Sequence, residues 1–299
     1  MKYFLFSTNS NPGLAMKLIK KVLCLAKGKC FISHYKDGEI LVHINEDIKG
    51  KKVFVLGSTF PPAENMLELI ILINTLKENG AKEIIVLMPY FGYGKQDKIK
   101  YSGDAMSAKL MANIIEFAGA DKIIALDLHS EMAGSYFKRL KHLSAVDILA
   151  AYFKDIGLKK IVIISPDKGG RQRAEQFAGN LGIKKIVVIK KYRPKVDENK
   201  VIKIKGQVRG RNIIIVDDMT QTGGTLIESV KALKKIGAAD IYIALTHIVP
   251  TGPAIKNLEK ERNIKKIVVT DSIRLPLKIY KSKKFKVISC VDVFVNNLK

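Results

Sequence analysis

Asp217 and Asp218 stand side by side at the end of an apolar, β-branched run, Ile213-Ile-Ile-Val216, and Thr222-Gly-Gly-Thr225 follows shortly after. The run reads as a buried strand. Beyond the glycines, Leu226, Ile227, Val230, Leu233 and Ile236 recur at helical spacing. A strand, a glycine turn and a helix N-terminus form an anion site, because glycine lets backbone N–H groups approach a phosphate and the helix dipole favours its charge. A carboxylate beside it can accept hydrogen bonds from two vicinal hydroxyls. Phosphate at one end and a diol at the other describe a sugar phosphate.

Other stretches have a similar build. Ser165-Pro-Asp-Lys-Gly-Gly170 again joins a strand end to a helix start, and Asp167 offers an oxygen suited to Mg²⁺. Lys190-Lys-Tyr-Arg-Pro-Lys195 follows a strand and enters a polar segment without clear periodicity, up to about Gln207. Such a basic segment is a solvated connection or a lid that closes over phosphate. Pro89-Tyr-Phe-Gly-Tyr-Gly-Lys-Gln-Asp-Lys98 sets rings that can stack on a base beside Lys95 and Lys98, which can meet phosphate. Asp127-Leu-His129 ends a strand, where a histidine serves as a hydrogen-bonded structural residue or as a ligand. Tyr35, Asp37 and Glu39 alternate and would project to one side of an extended segment. A turn at Asp37-Gly38 entering a strand accounts for them just as well.

The elements that must position these residues repeat along the chain. Short β-branched strands recur in Ala81–Tyr90, Ala120–His129, Leu158–Asp167, Ile183–Ile189 and Ala239–His247, each after a polar turn and nearly all before a polar cluster. Near-continuous apolar strands alternating with amphipathic segments predict an α/β fold of mostly parallel sheets flanked by helices. Ligands in such sheets sit outside the carboxyl ends of the strands, where the polar clusters fall. The two halves share this rhythm, as a duplicated domain would. Residues 140–147 read as the linker, giving domains over 1–143 and 144–299, with a last strand over about 286–299 that packs back on the first domain.

With 299 residues, 47% of them hydrophobic, the chain can build two cores. Its 52 Lys and Arg against 28 Asp and Glu give a net charge of +24. The lysines are scattered, often paired just before a strand, and no interleaved aromatics, zinc motif or arginine-rich arm accompanies them. The charge therefore reads as a solvated surface and a field favouring phosphorylated substrates, with no nucleic-acid partner. No apolar run reaches the length of a membrane span, and the opening residues read as a first strand, too short for a signal peptide. Cys24, Cys30 and Cys290 lack metal-like spacing and point to a reducing cytoplasm without disulfides.

Taken together and in order, these stretches resemble the ribose-phosphate pyrophosphokinase family over almost the whole length. Matching pieces are Tyr35-Lys-Asp-Gly-Glu39, Pro89 to Asp97, Asp127-Leu-His129, Ser165 to Gly170, Lys191-Tyr-Arg-Pro194, Asp217 to Thr225 and Thr246 to Ala254. Phosphoribosyltransferases share only the Asp217–Thr225 loop and about half the length. The resemblance implies two domains of the type I phosphoribosyltransferase fold, the first binding ATP and the second ribose 5-phosphate. It implies transfer of the pyrophosphoryl group of ATP to the 1-hydroxyl of ribose 5-phosphate, leaving AMP, with Mg²⁺ as cofactor. By the same resemblance Tyr35, Asp37 and Glu39 face adenine from a neighbouring subunit, in a homo-oligomer that is a dimer or a hexamer. Lys95, Gln96 and Asp97 contact ATP, and His129 and Asp167 belong to the Mg²⁺ site. Asp217 and Asp218 hold the ribose hydroxyls, Thr222, Gly223, Gly224 and Thr225 hold the 5-phosphate, and Lys191 and Arg193 are the catalytic cations of the lid. The competing expectation is a non-catalytic, synthetase-like regulatory subunit.

The chain departs from the commoner family pattern in several places. Lys95 stands where Arg is usual, which loses the bidentate fork. Tyr35 replaces another ring, Gln221 replaces an acid found in many members, and the lid reads Lys-Tyr-Arg where Lys-Arg-Arg is commoner. None of these removes a residue of the implied chemistry.

Overall fold

The computed structural model describes residues 2–192, 201–249 and 254–298. In chain order the elements are β1 (Tyr3–Ser7), α1 (Pro12–Lys21), β2 (Leu25–Lys27), β3 (Cys30–His34), β4 (Ile40–Ile44), β5 (Lys52–Leu56), α2 (Glu64–Glu78), β6 (Glu83–Met88), α3 (Ser107–Phe117), β7 (Lys122–Leu126), α4 (Glu131–Ser135) and β8 (Leu140–Leu143). The chain continues through α5 (Val146–Asp155), β9 (Ile161–Ser165), α6 (Arg171–Asn180), β10 (Ile186–Val188), β11 (Lys190–Tyr192), β12 (Val201–Lys203) and β13 (Asn212–Thr220). Then come α7 (Gly224–Lys235), β14 (Ile241–Ile248), α8 (Ala254–Lys260), β15 (Ile264–Thr270), α9 (Leu277–Lys281), β16 (Phe285–Ile288) and α10 (Val291–Val295).

Two compact units result. Unit 1 comprises Met1–Ser144, Ser272–Arg274 and Ser289–Lys299, and unit 2 comprises Ala145–Asp271 and Leu275–Ile288. Among the described residues each unit holds one six-stranded sheet, ordered β2-β1-β5-β6-β7-β8 in unit 1 and β10-β9-β13-β14-β15-β16 in unit 2. All pairings within both sheets are parallel. Counted by their own strands, both sheets run second, first, third, fourth, fifth, sixth. In both, an antiparallel hairpin interrupts the chain between the second and third sheet strands: β3–β4 in unit 1 and β11–β12 in unit 2. This shared order is what a duplicated α/β domain predicts.

The strands are apolar on both faces because helices cover both. In unit 2, Ile213 and Ile215 of β13 share a core with Val230 and Leu233 of α7. On the other side Phe153 of α5 packs edge-on against Phe177 of α6 and Tyr242 of β14, with ring centroids 5.8 Å and 6.0 Å away. In unit 1, Phe6, Val53, Val55, Ile84 and Val86 meet the α2 stripe Leu69, Leu72, Ile73 and Leu76. Each such fully buried side chain contributes about 1.5–3 kcal/mol by leaving water. Helix α1 starts where its sequence dictates: Asn11 Oδ1 accepts from Leu14 N at 3.2 Å, and Pro12 fills the first turn.

Three sequence expectations change. The stretch 140–147 is not a linker: Leu140–Leu143 is β8, at the edge of the unit 1 sheet beside β7, and α5 starts at Val146, so Ser144 and Ala145 alone connect them. The stretch over 286–299 is not one strand: β16 closes the sheet of unit 2, and α10 packs on α1 in unit 1, where Lys21 Nζ meets Asp292 Oδ1 at 2.5 Å. The basic segment up to about Gln207 is not wholly irregular, since Lys190–Tyr192 pairs with Val201–Lys203. Strands of three residues are too short to leave a period in the sequence.

Candidate active site

In unit 2 the candidate residues gather towards the carboxyl ends of two neighbouring strands. Strands β9 and β13 pair up to Ile164 with Ile215, so Asp167 and Asp217 both emerge just past that register. Asp218 is buried, 6% exposed, and its Oδ1 lies 3.7 Å from Nη1 of Arg173 in the first turn of α6. Asp217 is partly buried, and its Oδ1 accepts from the Asp218 backbone N–H at 3.0 Å. Burial, then the charge and side-chain hydrogen bond of Asp218, then the charge of Asp167 push the Asp217 carboxyl well above the usual carboxylate range, against the pull of Arg173. Crowded carboxylates of this kind suit a ligand that brings hydroxyl donors or cations.

Asp167 is exposed, and its turn is fixed from within: Gly170 N–H donates to its Oδ1 at 3.0 Å, and Ser165 Oγ donates to its carbonyl at 2.7 Å. The second turn lies at the start of α7. Gly223 has φ +75°, a left-handed conformation, and a Cβ there would also stand 3.0 Å from Leu258 Cγ. Its N–H donates to buried Thr220 Oγ1 at 3.2 Å, and the helix begins with Ile227 N–H to Gly223 O at 2.9 Å. Thr222 and Thr225 are exposed on either side. The start of this helix of 12 residues presents its dipole to an anion.

In unit 1 the aromatic loop and His129 come together: a Cβ on Gly94 would stand 3.8 Å from His129 Cβ. Gly92 is obligatory, since its Cβ would fall 2.0 Å from Thr59 O. This close approach buries Tyr90 and Phe91, and Phe91 packs on Phe137 at 5.2 Å. Of the three rings expected to be available for stacking, Tyr93 is the one at the surface, 45% exposed. Lys95 and Gln96 are exposed, and Gln96 Oε1 accepts from Ser107 Oγ. Asp97, expected to contact ATP, is instead buried: its Oδ2 accepts from Ser130 Oγ at 2.5 Å, and its carbonyl accepts from Tyr136. Ser130 also caps α4, accepting from Ala133 N–H at 3.0 Å, so Asp97 braces the loop against the segment carrying exposed His129.

Tyr35, Asp37 and Glu39 do not form an extended run. They make the tip of the β3–β4 hairpin, closed by Tyr35 N–H to Glu39 O at 2.8 Å and by Glu39 N–H to Asp37 Oδ1 at 3.1 Å, with Gly38 at φ +98°. All three are exposed. Lys191 lies in β11 opposite Ile202, whereas Arg193 falls outside the described residues, as does the Pro250–Pro253 part of the Thr246–Ala254 stretch. Among the described residues no three His, Cys, Asp or Glu side chains are grouped to hold a metal. Arg173 escaped the sequence reading because its partner lies on another strand.

A model of the N-terminal domain of ribose phosphate pyrophosphokinase matches residues 3–119, and a phosphoribosyl transferase domain model matches residues 138–283. The ribose-phosphate pyrophosphokinase of Fusobacterium nucleatum is 40% identical over 296 residues, 98% of this chain and 92% of its own length. The chain belongs to the ribose-phosphate pyrophosphokinase family. The family member from Bacillus caldolyticus is 44% identical over 274 residues, covering 91% of this chain and 86% of its own. The crystal structure of phosphoribosylpyrophosphate synthetase from Mycobacterium smegmatis matches with a TM-score of 0.91 at 30% identity, over 99% of this chain and 97% of that one. No helix among the described residues is long and apolar enough to cross a membrane.

Proposed function

We propose that this chain transfers the pyrophosphoryl group of ATP to the 1-hydroxyl of ribose 5-phosphate, releasing AMP and 5-phosphoribosyl 1-pyrophosphate. The observation that carries this reading is the junction of β13 and α7. Asp217 and Asp218 lie in the carboxyl-terminal part of the strand, which runs on to Thr220, and a left-handed glycine cap opens the helix a few residues on. Asp217 and Asp218 accept from the ribose hydroxyls, and Thr222, Gly223, Gly224 and Thr225 bind the 5-phosphate through hydroxyls, backbone N–H groups and the helix dipole.

ATP is held by unit 1 residues. The exposed hairpin tip, Tyr35, Asp37 and Glu39, meets adenine in a neighbouring copy, which makes the working form a homo-oligomer. Lys95 and Gln96 contact the nucleotide, and Asp97 keeps their loop in place. His129 and Asp167, each exposed, are each assigned as a Mg²⁺ ligand, since the ion takes most of its oxygen ligands from water and phosphate and needs few from protein. When bound, that ion neutralises phosphate charge.

The 1-hydroxyl oxygen attacks the β-phosphorus in line, loses its proton, and forms the new O–P bond as the bond to the AMP oxygen breaks. Positioning and cationic stabilisation dominate such transfers. Lys191 and Arg193 provide the cations that follow the charge as it spreads over the phosphoryl oxygens. Closure of the lid assigned to them keeps out water that would hydrolyse ATP.

Product analysis tests the reading. The protein, Mg²⁺, ATP and ribose 5-phosphate are expected to yield AMP and phosphoribosyl pyrophosphate in equal amounts. ATP binding without AMP release would instead identify a non-catalytic subunit that assembles with an active partner.

A further inference from the structure

The mechanism above leaves Arg173 without a role, although it sits inside the acid cluster. Helix α6 begins directly after Gly170, and side chains in a helix lean towards its N-terminus. Arg173 therefore turns back over the Ser165–Gly170 turn. Its Nη1, Ser165 Oγ and Asp167 Oδ1 all lie within 4 Å of one point, the place a Cβ on Gly170 would occupy, at 3.8, 3.0 and 3.8 Å. The same Nη1 is 3.7 Å from Asp218 Oδ1, and both side chains are enclosed, 16% and 8% exposed. Charge contact in an enclosed site is screened weakly. At 3.7 Å the contact is ionic and lacks the paired hydrogen bonds of a bidentate fork.

We infer that Arg173 is a positioning residue for ribose 5-phosphate: its ion pair with Asp218 fixes the orientation of that carboxylate and offsets the crowding of three acids at one strand edge. The inference rests on the assignment of Asp217 and Asp218 to the ribose hydroxyls. Arg173 touches no reacting atom in this scheme and acts through Asp218.

The test is a double-mutant cycle read in KM, with the thermal midpoint of every variant recorded. R173Q is expected to raise the KM for ribose 5-phosphate about tenfold while leaving the KM for ATP within about twofold. R173K, which keeps the charge, should recover most of that loss. In the D218N background R173Q should have no further effect, since its route of action is already gone. An ATP KM that rises in place of the sugar KM, additive effects of R173Q and D218N, or an R173K as impaired as R173Q would overturn the inference. If R173Q is too unstable to assay, the R173Q/D218N protein, which removes both charges, must match D218N in KM or the inference fails. A D218N with an unchanged sugar KM would remove the ribose assignment itself. A D218N that raises it beside a neutral R173Q would leave that assignment standing and sink the Arg173 role alone.

Discussion

The two units share a strand order, and the same two turns of each do different work. After the first sheet strand, unit 2 has Asp167 and the Gly169–Gly170 pair, whereas unit 1 has Thr8, Asn9, Ser10, Asn11 and Pro12. After the third, unit 2 has the Gly223–Gly224 cap, and unit 1 has Gly57, Ser58, Thr59, Phe60, Pro61 and Pro62. The turns of unit 1 are closed on their own hydroxyls. Thr8 Oγ1 and Ser10 Oγ are 2.7 Å apart, Ser58 N–H donates to Ser10 Oγ at 2.9 Å, and Ser58 Oγ donates to Ser272 O at 2.8 Å. Those hydroxyls and amides are engaged by the protein, and two prolines replace donors that a phosphate would need. Topology delivers a turn to the sheet edge; the side chains of that turn decide whether it takes a ligand.

The hairpins offer the sharpest way to break this comparison. Lys191→Ala in β11 is expected to lower turnover about 10²–10³-fold with little change in the KM for ribose 5-phosphate. Equal losses in both would remove the lid role from unit 2 and leave its hairpin as structural as a sheet insertion can be.

A smaller effect should separate the two third-strand turns. Gly223→Ala puts a side chain at φ +75° and 3.0 Å from Leu258 Cγ, while Gly57→Ala meets Leu69 Cδ1 at 2.9 Å without a left-handed backbone. Each should cost about 1–2 kcal/mol in denaturant unfolding. Gly223→Ala alone should also raise the KM for ribose 5-phosphate. A matching rise from Gly57→Ala would show that both turns serve the sugar.

The smallest effect concerns pH. The raised Asp217 carboxyl keeps its proton in the folded chain at pH values where the unfolded chain has lost it, from the ordinary 3.8 upward. Folding then weakens as pH rises through that window. Asp217→Asn abolishes the titration, so the thermal midpoint of the variant should gain on the parent protein between acid and neutral pH. A constant gap would mean that Asp217 is an ordinary carboxylate.

What could be read without coordinates was local. The candidate site over Asp217–Thr225 lies in one unbroken stretch, so its strand, acids, glycines and helix follow one another in the sequence. Arg173 with Asp218, and Asp97 with Ser130, depend on which strands and helices become neighbours, which no local pattern carries. The aromatic loop misled for a related reason: Gly92 lets the backbone press on Thr59, and that approach, invisible in composition, draws Tyr90 and Phe91 inside. The alternation of Tyr35, Asp37 and Glu39 yielded to the stronger turn chemistry of Asp37-Gly38.

Unit 1 is discontinuous: it takes up Ser272–Arg274 and Ser289–Lys299 after most of unit 2 has been made. On the ribosome, its sheet strands all emerge early, yet α1 waits for α10, whose Val291 and Phe294 end up buried. A single cut between β8 and α5, at Ser144–Ala145, cannot therefore yield a complete first unit. The order of synthesis makes unit 2 the piece finished from one nearly continuous run of chain and unit 1 the piece finished last.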